Sequence, residues 1–245
     1  MQILLSMTLI ATAAPRPAPA PAALFTLMIQ CPDTAKVECG TSTDPSITGT
    51  PTTSGECDPN HPATLTYTDT IVPPSCVADR FDHFITRHWV ATDSCGNTAS
   101  CDQTIDVVKE VWSFDIKAPS CPNPFNRGSG GVISMTIVGA AGQDVTQIDV
   151  NSVRLYIEHC TAGPVAPIRY SYDDKTAPFP GGTFCSCWSR GPDGILDLDF
   201  TFRKSDVRTG LQLDGYPAGT YVRITVTGTL NSGCGFLGTD CVRVQ

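Results

Sequence analysis

Glutamate is nearly absent from this chain, with 4 residues against 20 aspartates in 245 positions. Glutamate favours helix interiors, whereas aspartate supports turns and caps, so the imbalance predicts little helix. Charge of either sign is sparse, at 16%, and Lys and Arg form no cluster. With a net charge of −8 and a pI near 4.8, the chain lacks the positive surface that offsets phosphate repulsion, which argues against a nucleic-acid partner. Long apolar runs are missing too. The run Ile3 to Ala13 is too short to span a bilayer and predicts no transmembrane segment. It has signal-peptide length and ends in small residues, with Ala11-Thr12-Ala13 as a cleavage site. The expectation is therefore a signal peptide over 1–13 or somewhat longer, followed by a stiff polyproline-like spacer, PRPAPAP, at Pro15 to Pro21.

Catalytic signatures are also wanting. No Gly-x-Ser-x-Gly occurs, and none of the four histidines stands in a motif with a nucleophile and an orienting acid. His83 and His88 are five apart, an odd offset that sends them to opposite faces of one strand, so they cannot share a metal. His61 and His159 lie in different halves. Cys185-Ser186-Cys187 is too tightly spaced for a zinc knuckle, and there is no Cys-x-x-Cys pair. The expectation is no enzyme and no obligatory cofactor.

Cysteine, by contrast, is abundant. Six of the twelve precede residue 110 and six follow it, and an even set in each half behind a secretory start reads as a disulfide framework in an extracellular protein. Oxidation of all twelve removes thiol chemistry. At this length the chain holds one large domain or two ordinary ones, and the pattern favours two, at 31–109 and 110–245.

The first half is organised around Arg87 to Val108. Ile85, Arg87, Trp89 and Ala91 alternate with Phe84, Thr86, His88 and Val90; after the turn Asp93-Ser94-Cys95-Gly96-Asn97, Ile105 and Val107 alternate with Thr104, Asp106 and Val108. The turn residues tolerate left-handed backbone, so the stretch predicts a hairpin. Further strands are expected at Thr34 to Cys39 and Thr64 to Thr70, with breaks at Asp44-Pro45, Thr50-Pro51 and Pro73-Pro74. Short strands at this spacing predict an immunoglobulin-like sandwich. CPDTAKVECG, TYTD and ITRHWVATDSCGNTASCDQTIDVV resemble the hyalin-repeat (HYR) modules of bacterial surface and secreted proteins over about residues 30–109. The resemblance implies an Ig-like fold and a spacing or adhesive role without catalysis.

The simplest hyalin repeat carries only an outer cysteine pair, so the other bridges rest on geometry. If the strand from Thr34 to Cys39 runs from one end of the sandwich to the other, Cys31 shares an end with Cys101, Cys57 with Cys95, and Cys39 with Cys76. Those three pairings are expected, each stabilising by about 3–4 kcal/mol in the chain-entropy picture. The connection VVKEVW, Val107 to Trp112, has neither Gly nor Pro and predicts a stiff, end-to-end pair of modules.

The second half opens with WSFDIKAPSCPNP and continues with strands at Gly131–Val138, Val153–Ile157, Ile195–Phe202, Tyr221–Thr229 and Cys241–Val244. A short helix is expected from Ser205 to Leu213, capped by Ser205 with Val207 and Leu211 inward. FDIKAPSCPNP, DVTQIDVNSVRL, APIRYSYDD and GPDGILDLDFTF resemble a β module, of the FDIKPGSCPNP type, that recurs in secreted bacterial proteins. The likeness covers about residues 112–245 and implies a secreted, non-catalytic role. Cys121, Cys160, Cys185, Cys187, Cys234 and Cys241 are all expected in disulfides of unassigned connectivity. Overall the fold class expected is all-β, two consecutive Ig-like sandwiches, disulfide-rich, with little helix.

Two stretches carry candidate function. In Asp193-Gly194-Ile195-Leu196-Asp197-Leu198-Asp199, Leu196, Leu198 and Phe200 are expected inward, which puts Asp197 and Asp199 together on the other face about 6.5–7 Å apart. With Asp193, and Asp173-Asp174 nearby, they are placed to share a calcium ion; the competing reading is a solvated strand face beside an ordinary turn. Paired carboxylates also suit a glycosidase, with Trp188, Tyr170 and Tyr172 to stack on sugar, but the same aromatics equally suit a binding module. The other stretch is Ala22 to Ile29. Leu24, Phe25, Leu27, Met28 and Ile29 make both faces of a strand apolar. Three readings stand: the first strand of its own sandwich, part of a longer signal, or a strand donated to the next subunit in a filament. The expected function is a secreted or cell-surface structural or adhesive protein that partners copies of itself or matrix components; the alternative is a calcium- or glycan-binding accessory module.

Overall fold

Strand alternation builds the first sandwich. The computed structural model describes residues 26–118, 120–180, 185 and 191–245. Its first elements are β1 (Met28–Gln30), β2 (Ala35–Glu38), α1 (Pro45–Thr48), β3 (Thr52–Ser54), β4 (Thr64–Val72), β5 (Phe81–Thr92) and β6 (Thr98–Val108). One sheet has the order β2-β6-β5-β4, with β2 parallel to β6; the facing ribbon pairs β1 with β3. Ile85, Arg87, Trp89 and Ala91 on β5 are buried, and so are Gln103, Ile105 and Val107 on β6. The period of two fixes this inward set, because adjacent side chains on a strand must leave by opposite faces.

The interior is unusually polar for its size. Its apolar cluster is small, centred on Val37, Ile85, Ile105 and Val107. Beside it, buried Arg87 donates from Nε and Nη2 to the Asp69 carboxylate, both at 2.8 Å, and from Nη1 to Thr48 Oγ1 at 2.9 Å. Its guanidinium also lies 4.3 Å from the Tyr67 ring centroid. Gln103 donates to the Thr48 carbonyl at 2.6 Å, and its Oε1 accepts from Trp89 Nε1. Such a network is satisfied but supplies little hydrophobic stabilisation, which makes the covalent bridges matter.

The second half contributes β7 (Glu110–Val111), β8 (Ser113–Ile116), β9 (Pro124–Phe125), β10 (Val132–Val138), β11 (Arg154–Ile157), β12 (Arg169–Asp173), β13 (Asp197–Arg203), α2 (Lys204–Gly210), β14 (Tyr221–Thr229) and β15 (Gly235–Val244). Two sheets, β12-β13-β10-β8 and β11-β14-β15-β7 with β9 added beside β15, enclose one large apolar core. Ile116, Met135, Ile137, Leu155, Phe200, Phe202, Ile224 and Phe236 fill it. The architecture is all-β, disulfide-rich and poor in helix.

Several local expectations need adjusting. Asp44-Pro45 starts a helical turn, with Pro at its first position, where its missing N–H costs nothing. α2 begins at Lys204 and has no side-chain cap; Ser205 bonds Asp206 instead, while Val207 and Leu211 are buried as expected. Leu196, expected inward, is 43% exposed, because β13 begins only after it. Leu24, Phe25, the 1–13 signal, the Pro15–Pro21 spacer, Pro119, Cys187 and Trp188 lie outside the described residues. Of the apolar segment 22–29, Met28 and Ile29 pair with Ser54 and Thr53 of the same chain, and Leu27 is buried. Gly55 is required beside it: a Cβ there would collide with the Thr26 carbonyl.

Candidate functional site

The strand that leaves the first sandwich enters the second almost without interruption: β6 ends at Val108, and β7 and β8 follow, separated by Lys109 and Trp112. β7 lies parallel to β15, with Glu110 opposite Phe236 and Val111 opposite Leu237. Trp112 donates its backbone N–H to the Leu237 carbonyl at 2.9 Å, and its ring packs 5.8 Å from Phe236. The short, Gly- and Pro-free connection is therefore itself a sheet element.

Two cystines cross this junction. Cys39, just past β2, is bonded to Cys234, just before β15, and Cys76, in the loop between β4 and β5, is bonded to Cys160, just past β11. The expected Cys39–Cys76 pairing is replaced by these two. Its physical basis explains the error: Cys39 and Cys76 do sit at the end of the sandwich from which the chain departs, but that end faces the second sandwich, which offers each a closer partner. Cys39 packs against both apolar cores. Cys31 is bonded to Cys101 and Cys57 to Cys95 within the first sandwich, and Cys185 to Cys241 within the second. Cys121 is disulfide-bonded as well.

Polar contacts fill the space between the clamps. Lys109 is buried, and its ammonium donates to the carbonyls of Val77 (2.5 Å) and Asp79 (3.1 Å). Burial pushes its pKa down, against the pull of Asp82 and Asp79. Thr227 Oγ1 donates to the same Val77 carbonyl, His159 Nδ1 meets Asp79 Oδ1 at 3.1 Å, and the Gly235 N–H donates to Asp82 Oδ1 at 2.7 Å. A Cβ at position 235 would lie 2.5 Å from Asp82 Oδ1 and 2.8 Å from Lys109 Cε, so a side chain there would have to displace both. Carbonyls of the 73–80 loop thus receive donors from both sandwiches.

The aspartates read as a calcium site are not brought together as one. Asp197 is fully buried: Oδ1 accepts from the Gly139 N–H, and Oδ2 from the N–H groups of Lys175 and Thr176. Asp199 accepts from Ser134 Oγ and Thr136 Oγ1 and pairs with the Lys175 ammonium at 2.8 Å. Asp193 bonds the Ile195 N–H in its own turn, and Asp174 caps the N–H groups of Asp193 and Gly194. These carboxylates hold the 174–176 segment and the 193–195 turn onto the sheet. Among the described residues, the one group of three ligand-type side chains close enough for a metal is Cys57, Asp93 and Cys95. There the sulfurs are bonded to each other, and Asp93 accepts from the N–H groups of Cys57, Cys95 and Asn97 and from the Asn97 side chain. Those donors, the Asn97 amide foremost, hold the Asp93 carboxyl below its usual pKa.

Each histidine faces an aspartate: His61 with Asp58, His83 with Asp82, His88 with Asp102 and His159 with Asp79. Tyr170 and Tyr172 on edge strand β12 are 50% and 41% exposed, with their rings edge-on 6.0 Å apart.

No family model matches this chain, and no curated protein matches it. Among solved structures it is similar to a chain described as protocadherin gamma B2 extracellular cadherin domains 3-6, at 12% identity and a TM-score of 0.22. That match covers 89% of this chain and 47% of the other, so this chain spans about half its length. Among the described residues no helix is long and apolar enough to cross a membrane.

Proposed function

We propose that this protein is a non-catalytic, secreted or cell-surface structural element whose two sandwiches act as one stiff, tension-bearing spacer or adhesive unit. The observation that carries this reading is the Cys39–Cys234 bond. A pull applied ahead of β2 and beyond β15 crosses from one terminal region to the other through that bond. The shortest covalent route, Cys31 to Cys39 and then Cys234 to Val244, contains on the order of 20 residues, roughly 70 Å when fully extended. The same stretch without the bond would extend to roughly 700 Å. Most of both sandwiches therefore lies off the path of force, and neither can be drawn out while the cystine is intact.

The disulfide density supports an oxidising, extracellular setting. The HYR-like sequence pattern supports a spacing or adhesive role. Assembly into filaments by donation of residues 22–29 receives no support from the described part of that segment, which pairs with β3 of its own sandwich. A glycan-binding accessory role has the exposed Tyr170 and Tyr172 in its favour; a spacer should show no saturable, tyrosine-dependent binding on a glycan array.

Single-molecule stretching between the two ends tests the proposal. The oxidised chain should show at most a short extension before the handles detach, and the reduced chain a tenfold longer one. An oxidised chain that unravels to its full contour length would rule out the tension-bearing reading.

A further inference from the structure

β4 is the outer strand of its sheet, and among the described residues no strand pairs with its far edge. It runs TLTYTDTIV from Thr64 to Val72, and all of it but Leu65 is exposed. An open edge offers a row of free N–H and C=O groups, which soluble proteins normally blunt with Lys, Pro, a bulge or a very short strand. β4 has none of these: it is nine residues long and pairs with β5 without a register shift. Its one charged residue, Asp69, is already neutralised by two bonds from Arg87.

The inward face of β4 overhangs the rim of the sandwich. Leu65, Tyr67, Asp69 and Ile71 stand opposite Ala91, Trp89, Arg87 and Ile85, the buried set of β5. Yet Tyr67 is 41% and Ile71 68% exposed, so the row continues past the layer that covers β5. Tyr67 is fixed there, its ring 4.9 Å from that of Trp89 and 4.3 Å from the Arg87 guanidinium. The edge therefore presents ordered side chains as well as free backbone groups.

We propose that this edge binds a second copy of the chain, the two β4 strands pairing antiparallel about a two-fold axis at Thr68 and joining their sheets into one. β4 is complementary to itself in that register. Leu65 falls opposite Ile71 of the copy, so each exposed isoleucine gains an apolar partner. Thr66 falls opposite Thr70, a favourable cross-strand pair, and Thr64 opposite Val72. Tyr67 falls opposite Asp69, whose carboxylate can accept beyond its bonds from Arg87. Moving the axis to Asp69 would set two carboxylates face to face. Moving it to Tyr67 would pair Ile71 with Ala63, outside the strand. Nine residues a side is well short of the roughly 20–30 of a standard interface, so the contact is reversible and dissociates on dilution. It uses the first sandwich alone and stands apart from the clamped junction.

Sedimentation equilibrium of the oxidised protein provides the test. A dimer is expected as the concentration approaches about 1 mM. Thr68 is exposed, opposite His88 on the outer face, and at the two-fold axis it meets its own copy. Thr68→Lys and Thr68→Glu each set like charges across the seam and should weaken self-association by about tenfold or more. An equimolar mixture of the two variants should associate again, as a Lys–Glu heterodimer. Thermal melts of both variants establish that they are folded before either result is read. A parent that stays monomeric at that concentration, variants that dimerise as the parent does, or a mixture that fails to associate would each overturn the pairing. A chain that dimerises only once residues 1–25 are deleted would assign the edge to that segment and overturn it too.

Discussion

Cys39 and Cys234 lie 195 residues apart in the chain, yet their Cα atoms are 5.6 Å apart across the junction of the two sandwiches. The bond ties the end of β2 to the start of β15, the longest strand of the second half and the one that pairs with β7. Together with Cys76–Cys160 it converts a sequence of two modules into a single cross-linked body.

Removing that link should loosen the junction without unfolding either sandwich. In a Cys39→Ala/Cys234→Ala variant, chemical denaturation should report a loss of about 2–4 kcal/mol, and the transition should split into two as the sandwiches uncouple. A single transition at unchanged midpoint would mean that the bond contributes nothing to coupling.

Lys109 should be the most sensitive non-cysteine residue at the junction. Lys109→Met keeps the apolar stem but leaves the Val77 and Asp79 carbonyls without their ammonium donor. A loss of about 2–3 kcal/mol is expected from unsatisfied buried acceptors, read as a lower denaturation midpoint with unchanged slope. A neutral outcome would show that water replaces the ammonium freely.

Much of this was legible in the sequence, and the failures share a cause. Alternation puts Ile85, Arg87, Trp89 and Ala91 together on one face, the one the fold buries, and the β14 bounds, Tyr221–Thr229, can be read from the hydrophobic pattern. Local patterns carry that information because the strand period and turn chemistry are local. Cys39 and Asp197 were misread because their partners are distant in sequence. Nothing near Cys39 points to residue 234. Nothing in the alternation of 193–200 reveals that the segment at Lys175 and Thr176 covers the polar face of β13, the second strand of four in its sheet. The closeness of Asp115 and Asp240 is not legible either, since those residues are 125 positions apart; burial and the Asp240 charge together raise the Asp115 pKa.

The buried Asp199 should behave as a structural anion. Asp199→Ala strips the partner from Lys175, Ser134 and Thr136, and a loss of about 3–5 kcal/mol is expected when one member of a buried ion pair is deleted. Calcium should not rescue the variant, and a melting temperature that recovers with added calcium would return this aspartate to a metal site.

Asp115 predicts an inverted pH dependence. Its pKa is raised from 3.8 to about 7 in the folded protein, so folding takes up a proton between those values. The unfavourable charged form is populated above pH 7, and the cost disappears as pH falls towards 4. The difference in melting temperature between pH 5 and pH 8 should therefore shrink in Asp115→Asn, by roughly 5 °C or more. Equal pH profiles for parent and variant would show that Asp115 titrates normally.

The cystine-clamped junction should hold the two sandwiches as one rigid unit. Its most direct test is the distance distribution between spin labels carried on non-canonical residues at Thr66 on β4 and Thr209 on α2, both exposed, measured by pulsed electron resonance. One narrow distribution is expected for the oxidised protein, broader when Cys39–Cys234 is removed and broader still when Cys76–Cys160 is removed as well. A broad distribution with both bonds intact would contradict it.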